Sequence, residues 1–70
     1  MKLNEASADK KYEILNVEKS VSARLSAYGF FVHTKISVIK KDKQMLIAQV
    51  CNSLYAINCS LAAKVEVGEV

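Results

Sequence analysis

Between Thr34 and Ile57 three apolar runs follow one another with only Lys41–Gln44 and then Asn52–Ser53 between them. Connections that short turn a chain back on itself, so this stretch reads as successive β-hairpins. Thr34-Lys35-Ile36-Ser37-Val38-Ile39-Lys40 alternates, with Ile36 and Val38 facing one way. Met45 to Cys51 returns with Leu46, Ala48 and Val50 on one face, and Leu54 to Ile57 follows. Asn tolerates positive φ better than other non-glycine residues, which lets Asn52 stand where a tight turn would normally use Gly.

On either side of these hairpins the chain offers short elements of other kinds. Lys11 to Glu18 predicts a strand with Tyr12, Ile14 and Asn16 on one face and Leu15 and Val17 on the other, buried on part of both. Ser20 is placed to cap a helix over Val21 to Tyr28, in which Val21, Leu25 and Tyr28 share a face, and Gly29 suits a left-handed stop. Phe30-Phe31-Val32-His33 forms an apolar turn region. Asn58 to Ala63 predicts one helical turn capped by Asn58 or Ser60, before a last strand from Lys64 to Val67 and a fraying tail from Gly68 to Val70. Five short strands and one short helix predict an all-β fold with a short inserted helix. Closing such a sheet into a small SH3-like β-barrel removes the edges that a lone sheet exposes. Leu25, Ile36, Val38, Val50, Ile57 and Val65 are assigned to its core.

The chain has 70 residues, 51% hydrophobic and 24% charged, with no repeat and no linker-like tract, so residues 1–70 are expected to form a single domain. A chain of this size buries only about 60% of its unfolded surface, which disfavours a large substrate cavity. The uncharged stretch from Gln44 to Ala63 is interrupted by Gln49, Asn52, Ser53, Asn58 and Ser60, and does not read as a membrane span. The first eleven residues hold no apolar run that could serve as a secretion signal, and a cytoplasmic location is expected. Two cysteines can make one bridge at most, so reduced thiols are expected. The net charge of +3 is mild and does not by itself define a partner.

The order of these motifs resembles the FeoA family, the ferrous iron transport protein A found beside the membrane transporter FeoB in bacteria. Arg24-Leu25-Ser26-Ala27-Tyr28-Gly29-Phe30 is similar to the family's Arg-Leu-x-x-Leu-Gly helix end, and Thr34 to Ile39 is similar to the strand that follows it. Tyr55-Ala56-Ile57 and Ala62-Ala63-Lys64-Val65-Glu66-Val67 resemble its closing elements. The chain departs from the pattern at Val32-His33, where the family usually has Pro-Gly, and at Asn52, Tyr28 and Asn58, where it has Gly, Leu and often Arg. The resemblance implies an SH3-like barrel acting as an adaptor for the cytosolic G-protein domain of a FeoB-type transporter, at the inner face of the cell membrane and without inserting into it.

Arg24, Tyr28, Phe30 and Phe31 at the helix end form the candidate partner-binding set, because an exposed aromatic beside cations buries area at low entropic cost. Adjacent Phe30 and Phe31 cannot both point inward unless the turn twists between them. Lys40-Lys41-Asp42-Lys43 reads as a solvated hairpin tip. A nucleic-acid-binding barrel is an alternative, but the aromatics sit at core-like positions instead of alternating with cations, and no nucleic-acid partner is expected. A metal-sensing or transition-metal-binding domain is the other alternative. Its only soft ligands would be His33, Cys51 and Cys59, without the close pair that a structural zinc site uses, so no metal site and no cofactor are assigned. No nucleophile lies next to a base and no glycine-rich phosphate loop is present, so no enzymatic activity is expected.

Overall fold

The computed structural model describes residues 1–70. A single 3₁₀ turn at Leu3–Glu5 precedes strand β1, Lys10–Val17. Helix α1, Lys19–Ser26, leads to β2, Lys35–Lys41, β3, Met45–Val50, and β4, Ser53–Asn58. The short helix α2, Cys59–Ala62, then connects to β5, Val65–Glu69. The strands make one antiparallel sheet in the order β4-β3-β2-β1-β5, so every neighbouring pair except β1–β5 is consecutive in sequence.

The sheet curls around a single core of 17 buried residues, all hydrophobic, which include the six assigned from the sequence. Strands β4 and β5 lie at opposite ends of the strand order, and α2 spans the gap between them. Asn58 caps α2, its side-chain oxygen accepting the Leu61 N–H at 2.7 Å. The Cys59 N–H donates to Gln44 O at 2.8 Å, tying the start of α2 to the β2–β3 hairpin. In that hairpin Asp42 Oδ1 accepts the N–H groups of Gln44 and Met45, each at 2.8 Å. The hairpin base is also less free than a solvated tip would be, because Lys41 Nζ donates to Asn4 O at 2.9 Å and Ala6 O at 3.0 Å.

Several boundaries differ from expectation, each for a physical reason. Helix α1 begins two residues before Val21, and Ser20 is inside it; the Ser20 hydroxyl donates to Glu18 Oε1 at 2.8 Å and caps no amide. A bulge between Ile14 and Asn16 shifts the phase of β1, so Val17 packs against the core while Asn16 and Leu15 are exposed. Cys51 is not the end of a strand. It occupies the β3–β4 turn with φ of 51°, beside Asn52 at 71°, because a two-residue hairpin turn of the favoured twist needs positive φ at both central residues. The segment Gly68–Glu69 does not fray; Gly68 pairs with Glu13 and Glu69 with Tyr12. Leu3 and Ala6, at 0% exposure, add to the core from a segment with no strand or helix pattern of its own.

Candidate partner-binding site

The helix end is built by hydrogen bonds that only a glycine accepts comfortably. Gly29 has φ of 84°; its N–H donates to Ser26 O at 3.0 Å and the Phe30 N–H reaches back to Leu25 O at 3.2 Å. This bond pair is a Schellman motif, which sets the residue after the glycine against a residue in the last turn. Phe30 accordingly packs inward, 2% exposed, over the fully buried Leu25. Phe31, the next residue, is turned outward and 56% exposed, with Val32 at 47%. The twist between the two aromatics is therefore a product of the cap, and Phe30 is a core residue, not the surface anchor the sequence suggested.

The loop that follows is equally constrained. The Thr34 N–H donates to Phe31 O at 3.0 Å, closing a turn whose third residue, His33, has φ of 74°. Such a turn favours Pro at its second position and Gly at its third, so the departure at Val32-His33 carries a backbone cost. His33→Gly should raise the unfolding free energy by about 1 kcal/mol in a urea titration. A lower midpoint for this variant would show that the His33 side chain outweighs its backbone strain.

His33 Nδ1 lies 2.8 Å from Glu13 Oε2, and Lys35 Nζ donates to Glu13 Oε1 at 3.3 Å. Because a carboxylate only accepts, Nδ1 carries the hydrogen. The bond from His33, then the bond and charge of Lys35, hold the Glu13 carboxyl below the usual range. Asp42 is lowered as well, by the backbone N–H groups of Met45 and Gln44. Groups with lowered folded-state values stabilise the fold fully above their unfolded values, and that contribution is lost as pH falls through the folded ones. Thermal melts should therefore fall on acidification through and below the ordinary carboxylate range, with a shallower decline for Asp42→Asn. An equal decline in both would separate acid sensitivity from this hairpin.

Phe31 and Val32 border a shallow groove of about 340 Å³, floored by Phe30 and closed by Val17 and the α1 residues Ser22, Ala23 and Ser26. Its lining is mostly apolar, and the small side chains of α1 keep its wall low. Tyr28 belongs to a neighbouring aromatic cluster. It stacks on Tyr55 with centroids 5.0 Å apart and meets Phe30 edge-on at 6.3 Å, while Tyr55 and Phe30 are 6.4 Å apart. Arg24 is exposed but lines a different depression, with Asn58, Ser60 and Lys64, between α1 and α2. Of the four residues singled out from sequence, Phe31 is thus an exposed apolar side chain and Phe30 the floor beneath it, while Tyr28 and Arg24 do not line the groove. Val17, Val32, Ser22, Ala23 and Ser26 were missed. The last three sit at helical spacing on one face of α1, a signal present in the sequence but weak because small residues rarely mark a surface.

A larger depression, about 500 Å³, is lined by Lys11, Lys35, Ser37, Gln49, Cys51, Asn52 and Val70. It has no aromatic side chain on which a base could stack, and Lys35 is already engaged by Glu13. No three His, Cys, Asp or Glu residues lie close enough together to hold a metal ion. Cys51 is exposed at a hairpin turn, and Cys59 is half-buried with its thiol 3.8 Å from Asp42 O. No helix is long and apolar enough to cross a membrane.

A curled five-stranded antiparallel sheet in this order is the architecture of a small SH3-like barrel, here with a helix inserted after its first strand. The family model for the FeoA domain matches residues 1–69, and the chain belongs to that family. Among solved structures, an iron uptake regulatory protein, FeoA, superposes with a TM-score of 0.92 at 22% identity, covering 100% of this chain and 96% of that one. The FeoA-like protein of Clostridium acetobutylicum gives 0.89 at 18% identity, covering 100% and 86%. FeoA of Stenotrophomonas maltophilia, a prokaryotic SH3 domain protein in complex with zinc, gives 0.86 at 22% identity, covering 97% and 89%. A search of curated protein sequences finds no match.

Proposed function

We propose that this chain is a non-enzymatic adaptor in bacterial ferrous iron uptake, which binds the cytosolic G-protein domain of a FeoB-type transporter at the inner face of the membrane. The observation that carries the reading is the exposed Phe31–Val32 pair standing over an apolar groove. A partner's aliphatic or aromatic side chain entering that groove would be enclosed by Phe31, Val32 and Val17, with water excluded around it, the arrangement in which a few side chains supply most of the binding energy. Membership of the FeoA family supports the transport system as the context. A role as a bacterial ferrous iron transport activating factor has been put forward for the Stenotrophomonas maltophilia protein.

Isotope-labelled chain titrated with the transporter's cytosolic domain tests this. Amide shifts concentrated at Phe31, Val32, Ser22, Ala23 and Ser26 are the expected result. Shifts confined to Lys11, Lys35 and Gln49 would move the interface to the polar depression, and no shifts would remove the proposed partner.

A further inference from the structure

The two edges of the sheet are treated differently. Along β5 the free side is covered by the start of the chain: the Val67 N–H donates to Met1 O at 2.8 Å, and Lys2 bridges to Glu66. No strand covers the outer side of β4. The β3–β4 ladder continues through the Cys59 N–H to Gln44 O bond, in register with Leu46↔Ile57, Ala48↔Tyr55 and Val50↔Ser53. Antiparallel bonding alternates, so the backbone groups of Leu54 and Ala56 point away from β3 and towards solvent.

This edge lacks the features that normally protect one. Ser53-Leu54-Tyr55-Ala56-Ile57-Asn58 contains no charge and no proline, and it carries no bulge against β3. Its outward-facing Leu54 is 62% exposed, and behind it on the same face Ala56 pairs with half-buried Ile47 and Asn58 with exposed Met45.

We propose that β4 pairs antiparallel with β4 of a second copy of this chain, making a two-fold dimer with one continuous ten-stranded sheet. Strands of the same sequence face each other without like charges in contact, although each chain carries a net charge of +3. An axis at Tyr55 sets Leu54 against Ala56 of the second copy, the pairing that joins the outward-pointing backbone groups, with about four new hydrogen bonds. The apolar stripes of the two outer faces then meet across the axis. Each chain has one free edge and one covered edge, so assembly closes at two copies and does not propagate into fibres.

Sedimentation of the 70-residue chain in reducing buffer, from micromolar to near-millimolar concentration, tests the proposal. The expected result is a concentration-dependent shift from the 7.7 kDa monomer to twice that mass. Leu54→Lys, at an exposed position, should weaken the dimer about tenfold or more by placing like charges beside the axis, with the circular dichroism spectrum unchanged. Ala56→Pro should do the same by removing an outward N–H, and Leu54→Lys alone decides the matter if that variant does not fold. A wild-type chain that stays monomeric throughout, or a dimer that persists in folded Leu54→Lys, would overturn the proposal.

Discussion

Phe30→Ala is expected to lower the unfolding free energy by about 3 to 5 kcal/mol, a loss comparable with the whole stability of many small domains. The side chain is 2% exposed, lies over fully buried Leu25, and meets Tyr28 and Tyr55 edge-on, so its removal leaves a cavity and forfeits both aromatic contacts. The Schellman bonds would still form, but the apolar contact that accompanies them would be gone. Denaturant unfolding followed by circular dichroism measures this directly. A loss below about 1 kcal/mol would mean that the aromatic cluster is not part of the cooperative core.

Phe31→Ala should behave in the opposite way. Its side chain is 56% exposed, so truncation removes little that folding buries, and the melting curve should be close to that of the wild type. Binding to the transporter domain should weaken by about 1 to 2 kcal/mol, roughly five- to thirtyfold in Kd, because a central aromatic anchor carries a disproportionate share of interface energy. The contrast between adjacent phenylalanines is sharper than either result alone. Two adjacent residues with the same side chain are sent to core and surface by the handedness that Gly29 imposes.

That assignment marks where sequence reading succeeded and where it stopped. Gly29 as a left-handed stop, the hairpin at Lys41–Gln44 and the Asn58 cap were legible because each depends on a local rule of backbone or side chain. Which of Phe30 and Phe31 faces inward follows from the same cap, yet it becomes visible only when the Phe30 N–H is seen to reach Leu25 O. Cys51 was misplaced because its side chain has no preference for positive φ; the twist of the β3–β4 pair imposes the conformation. The ordering of Gly68–Glu69 depends on Glu13 and Tyr12, more than fifty residues away, and no local pattern signals it. The same holds for Leu3 and Ala6, buried by elements that come together only in the finished fold. At the site, Val17 reaches the groove through the β1 bulge, a phase shift that simple alternation misses.

Two of the departures from the family's usual sequence, His33 and Asn52, fall at positions of positive φ. His33 and Asn52 both hold positive φ at positions where the family has Gly, and they do so beside exposed surface, His33 within reach of Glu13 and Asn52 beside the polar depression. Residues other than glycine at such positions add side chains to the surface at the expense of backbone comfort.

Calorimetric titration of the wild-type chain and Phe31→Ala against the cytosolic G-protein domain of the transporter from the same cell, at two salt concentrations and with single-stranded RNA as competitor, tests the central claim most directly. The account predicts saturable binding that tolerates salt, ignores the RNA and is weakened in the variant. Binding to RNA alone, falling steeply with salt as phosphate contacts release counterions, would contradict it and leave the barrel correctly assigned but its partner wrong.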